Sequence, residues 1–161
     1  MKQLNRIVLV NWYVLGAQEI PIKGNVAIVG PNGSGKSSLL DAMQTILMGG
    51  HKRHLSFNAS AGEKSERSLR TYCLGFMDDG GKSNSAREDS ISYLAMSFFD
   101  TETAQESCIG VAISASTASP DEEILGRFIL PNFSVSLDDF SRKEGGGRMP
   151  RPWNEVRESL L

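Results

Sequence analysis

The chain has 161 residues, is 40% hydrophobic and 22% charged, and carries 17 lysines and arginines against 19 aspartates and glutamates. This length corresponds to one globular domain, and a net charge of −2 excludes a globally basic nucleic-acid binder, so any such role must depend on a local patch. No apolar stretch approaches the roughly 20 residues that span a membrane, and the first residues have a strand pattern instead of a secretion signal, so we expect a cytoplasmic protein.

The N-terminal part of the chain predicts three strands separated by short turns. Residues 6–15, RIVLVNWYVL, predict a long strand that ends at a turn at 16–17, and QEIPI at 18–22 predicts a short second strand. After a turn at 23–24, the apolar run 26–29 predicts a buried strand. Two hairpin-connected strands therefore precede the glycine-rich segment that follows.

That segment, Gly-Pro-Asn-Gly-Ser-Gly-Lys-Ser at 30–37, satisfies the G-x-x-x-x-G-K-[ST] pattern of a phosphate-binding loop. Its glycines allow the main chain to approach a ligand closely, so that successive N–H groups can cradle anionic oxygens. Lys36 would reach the β- and γ-phosphates, and the Ser37 hydroxyl would coordinate Mg²⁺. The predicted nucleotide-binding residues are Gly30, Pro31, Asn32, Gly33, Ser34, Gly35, Lys36, Ser37 and Ser38.

The residues after the loop predict a helix that ends at Gly49-Gly50. Its apolar positions recur at helical spacing: Leu39, Leu40, Met43, Ile46 and Leu47. Strand, loop and helix thus stand in the order that a phosphate-binding loop requires, and the helix N-terminus adds unpaired donors and a positive partial charge. This context favours a nucleotide site over a glycine-rich turn that carries a lysine by chance.

Two further groups of side chains leave alternatives open. Trp12 and Tyr13 could stack on an adenine ring, although core packing is the favoured interpretation. Residues 51–70 have a local excess of three positive charges, which would contact DNA or nucleotide or would form a solvated face. The basic candidates are Arg53, Lys64, Arg67 and Arg70. A metal site at His51 and His54 is disfavoured because no third ligand is nearby, and the two cysteines match no metal or redox spacing and indicate packed, reduced thiols.

The second half of the chain predicts a helix over 65–73, then three strands at 90–100, 107–116 and 124–130. Polar turns and no helices separate these strands, so they should pair antiparallel. The strand AMSFFD ends at Asp100 and superficially resembles an apolar run into a Mg²⁺-binding aspartate, but Thr101 follows where a glutamate would be expected, so this is a weak metal candidate.

Glycine and polar residues at 78–90 and 141–152 predict two mobile loops. An amphipathic helix then begins at Trp153, with Val156 and Leu160 on the same face, and the sequence stops as it starts. We therefore expect residues 1–161 to be the N-terminal piece of a longer protein.

The stretch VLVNWYVLGAQEIPIKGNVAIVGPNGSGKSSLLDAM resembles the N-terminal half-heads of SMC-like ATPases, because an Asn-aromatic hairpin precedes the GPNGSGKSSLLDA loop. The continuation LSFNASAGEKSERSLRTYCLG resembles the MukB-like branch of that group, in particular the MksB/JetC subunits of the MksBEF and Wadjet (JetABCD) systems. The resemblance implies an α/β fold of the P-loop NTPase type, the N-terminal lobe of an ABC-type ATPase head with an antiparallel β-subdomain.

The resemblance also implies cofactors and partners. Such a head binds ATP and Mg²⁺, dimerises with a second head on ATP, and works with kleisin and winged-helix (KITE) subunits on DNA, near the nucleoid and without a membrane. Its own C-terminal half would supply the Walker B motif, which this chain lacks along with a signature motif, so no catalytic residue is expected here. In such heads an arginine after the first helix reaches ATP, and Arg53, Arg67 or Arg70 could fill that role.

Chromosome organisation and plasmid defence both remain open under this resemblance. The main alternative is a self-contained small P-loop enzyme of the kinase type, which would need a parallel sheet and a lid. A transporter-type ABC ATPase is the third hypothesis, and the early position of the loop weighs against it.

Overall fold

The computed structural model describes residues 1–57, 67–79 and 82–160. The elements in chain order are β1 Lys2–Trp12, β2 Leu15–Pro21, α1 Lys36–Leu47, a 3₁₀ turn Lys52–His54, α2 Leu69–Leu74, β3 Phe76–Asp79, β4 Lys82–Ser85, β5 Asp89–Asp100, β6 Gln105–Ser116, β7 Glu123–Pro131, α3 Leu137–Phe140, β8 Ser141–Glu144, β9 Gly147–Pro150 and α4 Trp153–Leu160. In this described part of the chain, no helix combines the length and the apolar character needed to cross a lipid bilayer.

A five-stranded sheet in the order β2-β1-β5-β6-β7 is the centre of the fold, and every neighbouring pair is antiparallel. The longest ladder joins β5 to β6 without a register shift, from Asp89 opposite Ser116 to Asp100 opposite Gln105. The predicted antiparallel pairing of the three strands after residue 89 is therefore confirmed. Together with the helices, the sheet gives the mixed α/β architecture that the sequence predicts.

Helices cover both faces of the sheet, which explains why its central strands are apolar on both sides. On one face α1 and α2 pack against alternate sheet residues, and the largest members of this cluster include Ile7, Leu9, Trp12, Leu94, Met96 and Ile113. On the other face α3 and α4 pack against the intervening residues, which include Val8, Val10, Tyr93, Ala95 and Ala112. Because side chains of a strand point alternately to opposite faces, each central strand supplies both cores.

The turn between β1 and β2 lies at residues 13–14, and not at 16–17 as predicted, because Trp12 pairs directly with Leu15. Tyr13 adopts a left-handed conformation with φ of 53° there, and its N–H donates to the carbonyl of Tyr72 at 2.7 Å. A tyrosine is an uncommon residue for this conformation, which is why the glycine at 16 was the more obvious sequence signal.

The predicted buried strand at 26–29 is wrong. These residues form no ladder with any described strand, and Val26, Ile28 and Val29 are 54%, 43% and 85% exposed. Both edges of β1 are already occupied by β2 and β5, so the segment cannot join the centre of the sheet. The apolar run was a correct sign of strand propensity, but a strand also needs a neighbouring strand with free hydrogen-bonding groups.

The two segments predicted as loops contain hairpins. Within 78–90, β3 pairs with β4, while residues 80 and 81 lie outside the described part. Within 141–152, β8 pairs with β9 through Gly145 and Gly146, whose φ values of 56° and 82° are those of a type I′ turn. The prediction treated these glycines as linker residues, although two consecutive glycines also favour a tight hairpin.

The helix predicted over 65–73 corresponds to α2, whose N-cap is Ser68 in a capping box with Thr71. Residues 65 and 66 lie outside the described part of the chain. The helices predicted after the phosphate loop and from Trp153 are confirmed as α1 and α4.

Candidate nucleotide-binding site

The glycine-rich loop leads directly into α1, and two of its glycines adopt conformations that other residues rarely reach. Gly33 has φ of 82°, and Gly35, which is the N-cap of α1, has φ of 90°. At Gly30 a β-carbon would lie 2.6 Å from the Ser34 hydroxyl oxygen, so a larger residue would require the Ser34 side chain to move. The helix then begins with the N–H of Leu39 donating to the carbonyl of Gly35 at 3.0 Å.

The N–H groups of the first turn of α1 face the loop. In an α-helix these donors have no carbonyl partner within the helix, and they carry a positive partial charge. Lys36, Ser37 and Ser38 occupy these positions, and the Ser37 side chain is exposed. A loop that ends in free donors and an accessible hydroxyl suits a phosphate group with a bound Mg²⁺.

Lys36 folds back over the loop. Its Nζ donates to the carbonyls of Gly30 and Pro31, at 2.6 Å each, and lies 3.5 Å from the Ser34 hydroxyl. The ammonium group is therefore held against the carbonyls at the start of the loop, and the loop ends at the N-terminus of α1. A cation and the free N–H donors of a helix N-terminus on one short loop suit an anion, with the lysine available to contact phosphate oxygens.

The inner face of α1 is attached to the sheet and to α2 by two polar contacts. The indole Nε1 of Trp12 donates to the carbonyl of Ser38 at 2.7 Å, and the Tyr72 hydroxyl donates to the buried carboxylate of Asp41. The Trp12 and Tyr72 rings stack with their centroids 4.4 Å apart. Trp12 is completely buried, so it is a core residue and cannot stack on adenine, whereas Tyr13 is partly buried with its ring edge-on to Tyr72.

The basic candidates do not converge on the loop as one group. Arg53 is exposed on the 3₁₀ turn. The Arg67 guanidinium donates to the Tyr72 hydroxyl at 3.3 Å and lies 4.0 Å from the carboxylate of Asp41. Arg70 donates to the carbonyls of the turn after β6, at 2.8 Å to Ser119. Lys64 lies outside the described residues.

Asp100 does not lie at the loop. It pairs with Lys2 at the start of β1, whereas the first turn of α1 contacts Trp12 at the other end of the same strand. Ten residues of strand separate these ends by about 33 Å. The Asp100 carboxylate accepts the N–H of Glu102 at 3.0 Å, which with the N-terminal amine lowers its pKa. The structure therefore contradicts Asp100 as a ligand of Mg²⁺ bound at Ser37.

Among residues 1–57, 67–79 and 82–160, no three His, Cys, Asp or Glu side chains come together as metal ligands. The rings of His51 and His54 meet edge-on with centroids 6.4 Å apart. Cys73 and Cys108 are free and buried, and burial raises the pKa of each thiol to about 12. The prediction that both thiols are packed in the interior is thus confirmed.

Arg87 is the main residue near the site that sequence reasoning missed. Its partly buried guanidinium donates to the carbonyls of Tyr13, Cys73 and Leu15, at 2.8, 3.3 and 3.1 Å. It therefore holds the β1–β2 turn against the end of α2, and burial lowers its pKa. Nothing in the sequence around it, a polar and glycine-rich segment, distinguishes this arginine from an exposed one.

Comparison with known proteins supports the nucleotide interpretation at the level of the loop. Residues 4–64 match the family model described as the P-loop containing region of AAA domain. Curated proteins give no match to the chain. The matched segment includes β1 from Leu4 onwards, β2, the glycine-rich loop and α1. Residues 4–64 are thus similar to a P-loop region, and this similarity together with the loop geometry indicates a nucleotide-binding protein of the P-loop NTPase type.

Proposed function

We propose that this chain is the ATP-binding half of an ABC-type head in an SMC-like DNA motor. The observation that carries the proposal is the arrangement of the loop: Lys36 folds back onto the first carbonyls of the loop, and the loop ends at the free first-turn N–H groups of α1. Under the proposal these groups bind the β- and γ-phosphates of ATP, and Ser37 holds Mg²⁺.

The positions of Asp41 and Asp100 support a role in nucleotide binding without hydrolysis. Transfer of the γ-phosphoryl group to water needs a further Mg²⁺ ligand and a residue that positions the attacking water. Asp41 is buried on the inner face of α1, where the Tyr72 hydroxyl donates to it, and Asp100 is at the far end of the sheet. Under the proposal the missing groups come from the C-terminal half of the same head, and the signature motif from a second head.

The exposed apolar surface beside the loop also supports an incomplete head. Val26, Ile28 and Val29 precede the loop, and Leu40 and Leu47 lie on α1, and all five are more than 40% exposed. Under the proposal this surface receives the strands of the C-terminal half, which would give residues 26–29 the neighbouring strand that the described residues do not provide.

The kinase-like alternative is less well supported by the sheet. Small P-loop kinases would need parallel strands beside the loop, and every pairing among the described strands of the central sheet is antiparallel. The remaining roles are part of the proposal: dimerisation on ATP, kleisin and winged-helix partners, DNA, and a cytoplasmic location near the nucleoid. Chromosome organisation and plasmid defence would use the same nucleotide chemistry.

Titration of the purified chain with Mg-ATP by isothermal calorimetry tests the proposal. We expect weak but measurable binding, which Lys36→Ala should reduce to the limit of detection because a charge-assisted phosphate contact is lost. Lys23→Ala is the control: it removes an exposed lysine that precedes the loop and should leave the affinity for Mg-ATP unchanged.

Hydrolysis measured on the same samples separates the two hypotheses. A half-head should release phosphate no faster than its Lys36→Ala variant, even at saturating ATP. Rapid phosphate release that Lys36→Ala abolishes would contradict the half-head and favour the small enzyme. Absence of Lys36-dependent binding would contradict both.

A further inference from the structure

We infer that Trp12 is a positioning residue of the phosphate loop: the hydrogen bond from its indole N–H to the carbonyl of Ser38 fixes the first turn of α1 and thereby the N–H groups that meet phosphate. The inference deepens the proposed function and rests on it for its effect on nucleotide affinity. Its structural part, the fixing of the first turn, can be measured without nucleotide.

The position of the bond carries the inference. Ser38 is the third residue of α1, so its carbonyl belongs to the same helical turn as the donors of Lys36 and Ser37. A carbonyl oxygen has two lone pairs and can accept both the helical N–H four residues later and the indole N–H from the side. The Trp12 Nε1 to Ser38 oxygen distance is 2.7 Å, and both residues are buried, so water does not compete for this bond.

The backbone on both sides of Trp12 is held in an uncommon conformation. Asn11 and Tyr13 have φ of 54° and 53°, the left-handed region, which asparagine tolerates but which is uncommon for tyrosine. The Asn11 side chain donates to the carbonyl of Ile91 at 3.1 Å, and its own carbonyl accepts from the Ser92 hydroxyl at 2.6 Å. The turn is thus held rigidly, and the indole between the two left-handed residues is held with it.

A second contact prevents α1 from rotating about its axis. The Tyr72 ring stacks on the Trp12 ring with an interplanar angle of 11°, and its hydroxyl donates to Asp41. Ser38 and Asp41 are three residues apart and therefore on the same side of the helix. Attachment at two successive points on one side fixes both the tilt and the rotation of the helix, and hence the direction of its N-terminal donors.

The chain provides a matched control in its second tryptophan. Trp153 belongs to the apolar cluster on the opposite face of the sheet, together with Tyr93 and Phe140. Its substitution by phenylalanine changes ring size in a core, as at Trp12, but it does not touch α1. Because Trp153 is only partly buried whereas Trp12 is fully buried, its substitution should cost no more stability than that of Trp12, and a positioning effect should be confined to Trp12.

The test replaces Trp12 with benzothienylalanine, whose ring has the shape of indole but carries sulfur where indole has N–H. Trp12→Phe is the second variant, and Trp153→Phe is the control. Mg-ATP affinity is measured by calorimetry at a temperature where circular dichroism shows all four proteins folded. We expect both Trp12 variants to bind about tenfold more weakly, and Trp153→Phe to bind within twofold of the unmodified chain.

Amide hydrogen exchange without nucleotide gives the independent readout. The benzothienyl variant should lose protection at 39–42, the first bonded amides of α1, while 45–47 and the sheet keep theirs. Unchanged protection at 39–42 together with unchanged affinity would overturn the inference, and so would an equal loss of protection throughout the molecule.

The failure of the proposed function has a different signature. If the unmodified chain binds no Mg-ATP, the proposed function fails, and exchange at 39–42 alone decides the positioning role. If the chain binds Mg-ATP and the benzothienyl variant binds equally well, the proposed function stands and the inference falls.

Discussion

Four buried groups that can lose a proton are expected to make this protein sensitive to alkaline pH. Cys73 and Tyr72 lie in the core beneath α1 and α2, and Cys108 and Tyr93 lie in the core on the opposite face. Burial raises the pKa of each thiol from an ordinary 9.0 to about 12, because the thiolate would lose its hydration. Burial likewise raises the pKa of both tyrosines above the ordinary 10.0, and at Tyr72 the neighbouring Asp41 adds to the rise.

The sign of the effect follows from comparing the two states. The unfolded chain loses these protons near its ordinary pKa values, whereas the folded protein keeps them to higher pH. The stability from these groups is therefore fully present below pH 9, and it is lost as the pH rises towards the folded values. Each fully titrating group changes the free energy of unfolding by about 1.4 kcal/mol per pH unit.

The magnitude at pH 10.5 follows from these values. Each cysteine should cost about 2 kcal/mol and each tyrosine about 1 kcal/mol, which gives a total of about 6 kcal/mol. This loss is comparable to the entire net stability of a typical domain, about 5–15 kcal/mol. The protein should therefore be several kcal/mol less stable at pH 10.5 than at pH 7.5.

Urea denaturation followed by circular dichroism, with a reductant present, measures this loss at pH 7.5, 9.5 and 10.5. Cys108→Ala provides the matched comparison. It should be less stable at pH 7.5 because of the cavity, but its loss between pH 7.5 and 10.5 should be smaller by about 2 kcal/mol. A free energy of unfolding that stays constant between pH 7.5 and 10.5, or an equal loss in Cys108→Ala, would refute this reasoning.

Two further substitutions test the packing of the sheet and the 3₁₀ turn that carries Arg53. Gly110→Ala should destabilise the protein by about 3 kcal/mol in urea denaturation. A β-carbon there would meet the Phe128 ring and lie 2.7 Å from the carbonyl of Leu94. Gly16→Ala is the control because its β-carbon has no atom within 4 Å, and an equal cost for both substitutions would contradict the packing argument. Arg53→Glu should weaken duplex DNA binding, measured by fluorescence anisotropy, and reduce the slope of log affinity against log salt by about 1 if the proposed DNA role uses this turn. Arg157→Glu, at an exposed position on α4, is its control, and equal effects of the two would indicate that only the more negative net charge matters.

The sequence predicts those parts of the structure that are determined by residues close together in the chain. The phosphate loop is recognisable because Gly33 and Gly35 take left-handed angles that require glycine, and their spacing to Lys36 is fixed by the covalent chain. The antiparallel order of β5, β6 and β7 is recognisable because short polar turns leave no room for a crossover helix. Neither conclusion depends on residues that are distant in sequence.

The parts that the sequence did not predict depend on distant partners. The segment 26–29 has the composition of a buried strand, and whether it becomes one depends on a neighbouring strand. Asp100 follows an apolar run, and only the register of β5 against β1 shows that it is remote from the loop. Trp12 has the pattern of any inward-facing aromatic residue, and its bond to Ser38 joins residues 26 positions apart.

Helix α1 has apolar residues on two sides, and only one of these sides is covered by the described residues. Ala42 and Ile46 are buried against the sheet, while Leu40 and Leu47 are 52% and 59% exposed. A helix that is apolar on more than one side is usually buried from more than one direction. The inner attachment through Trp12 and Tyr72 can set the direction of the loop donors, but it leaves the outer side of the loop open to water. Because electrostatic contacts to phosphate are stronger where water is excluded, a second layer over this outer side would raise nucleotide affinity without changing any residue of the loop. The half-head proposal therefore requires that nucleotide binding by these residues alone be weak, and a Mg-ATP affinity typical of a complete P-loop enzyme would count against it.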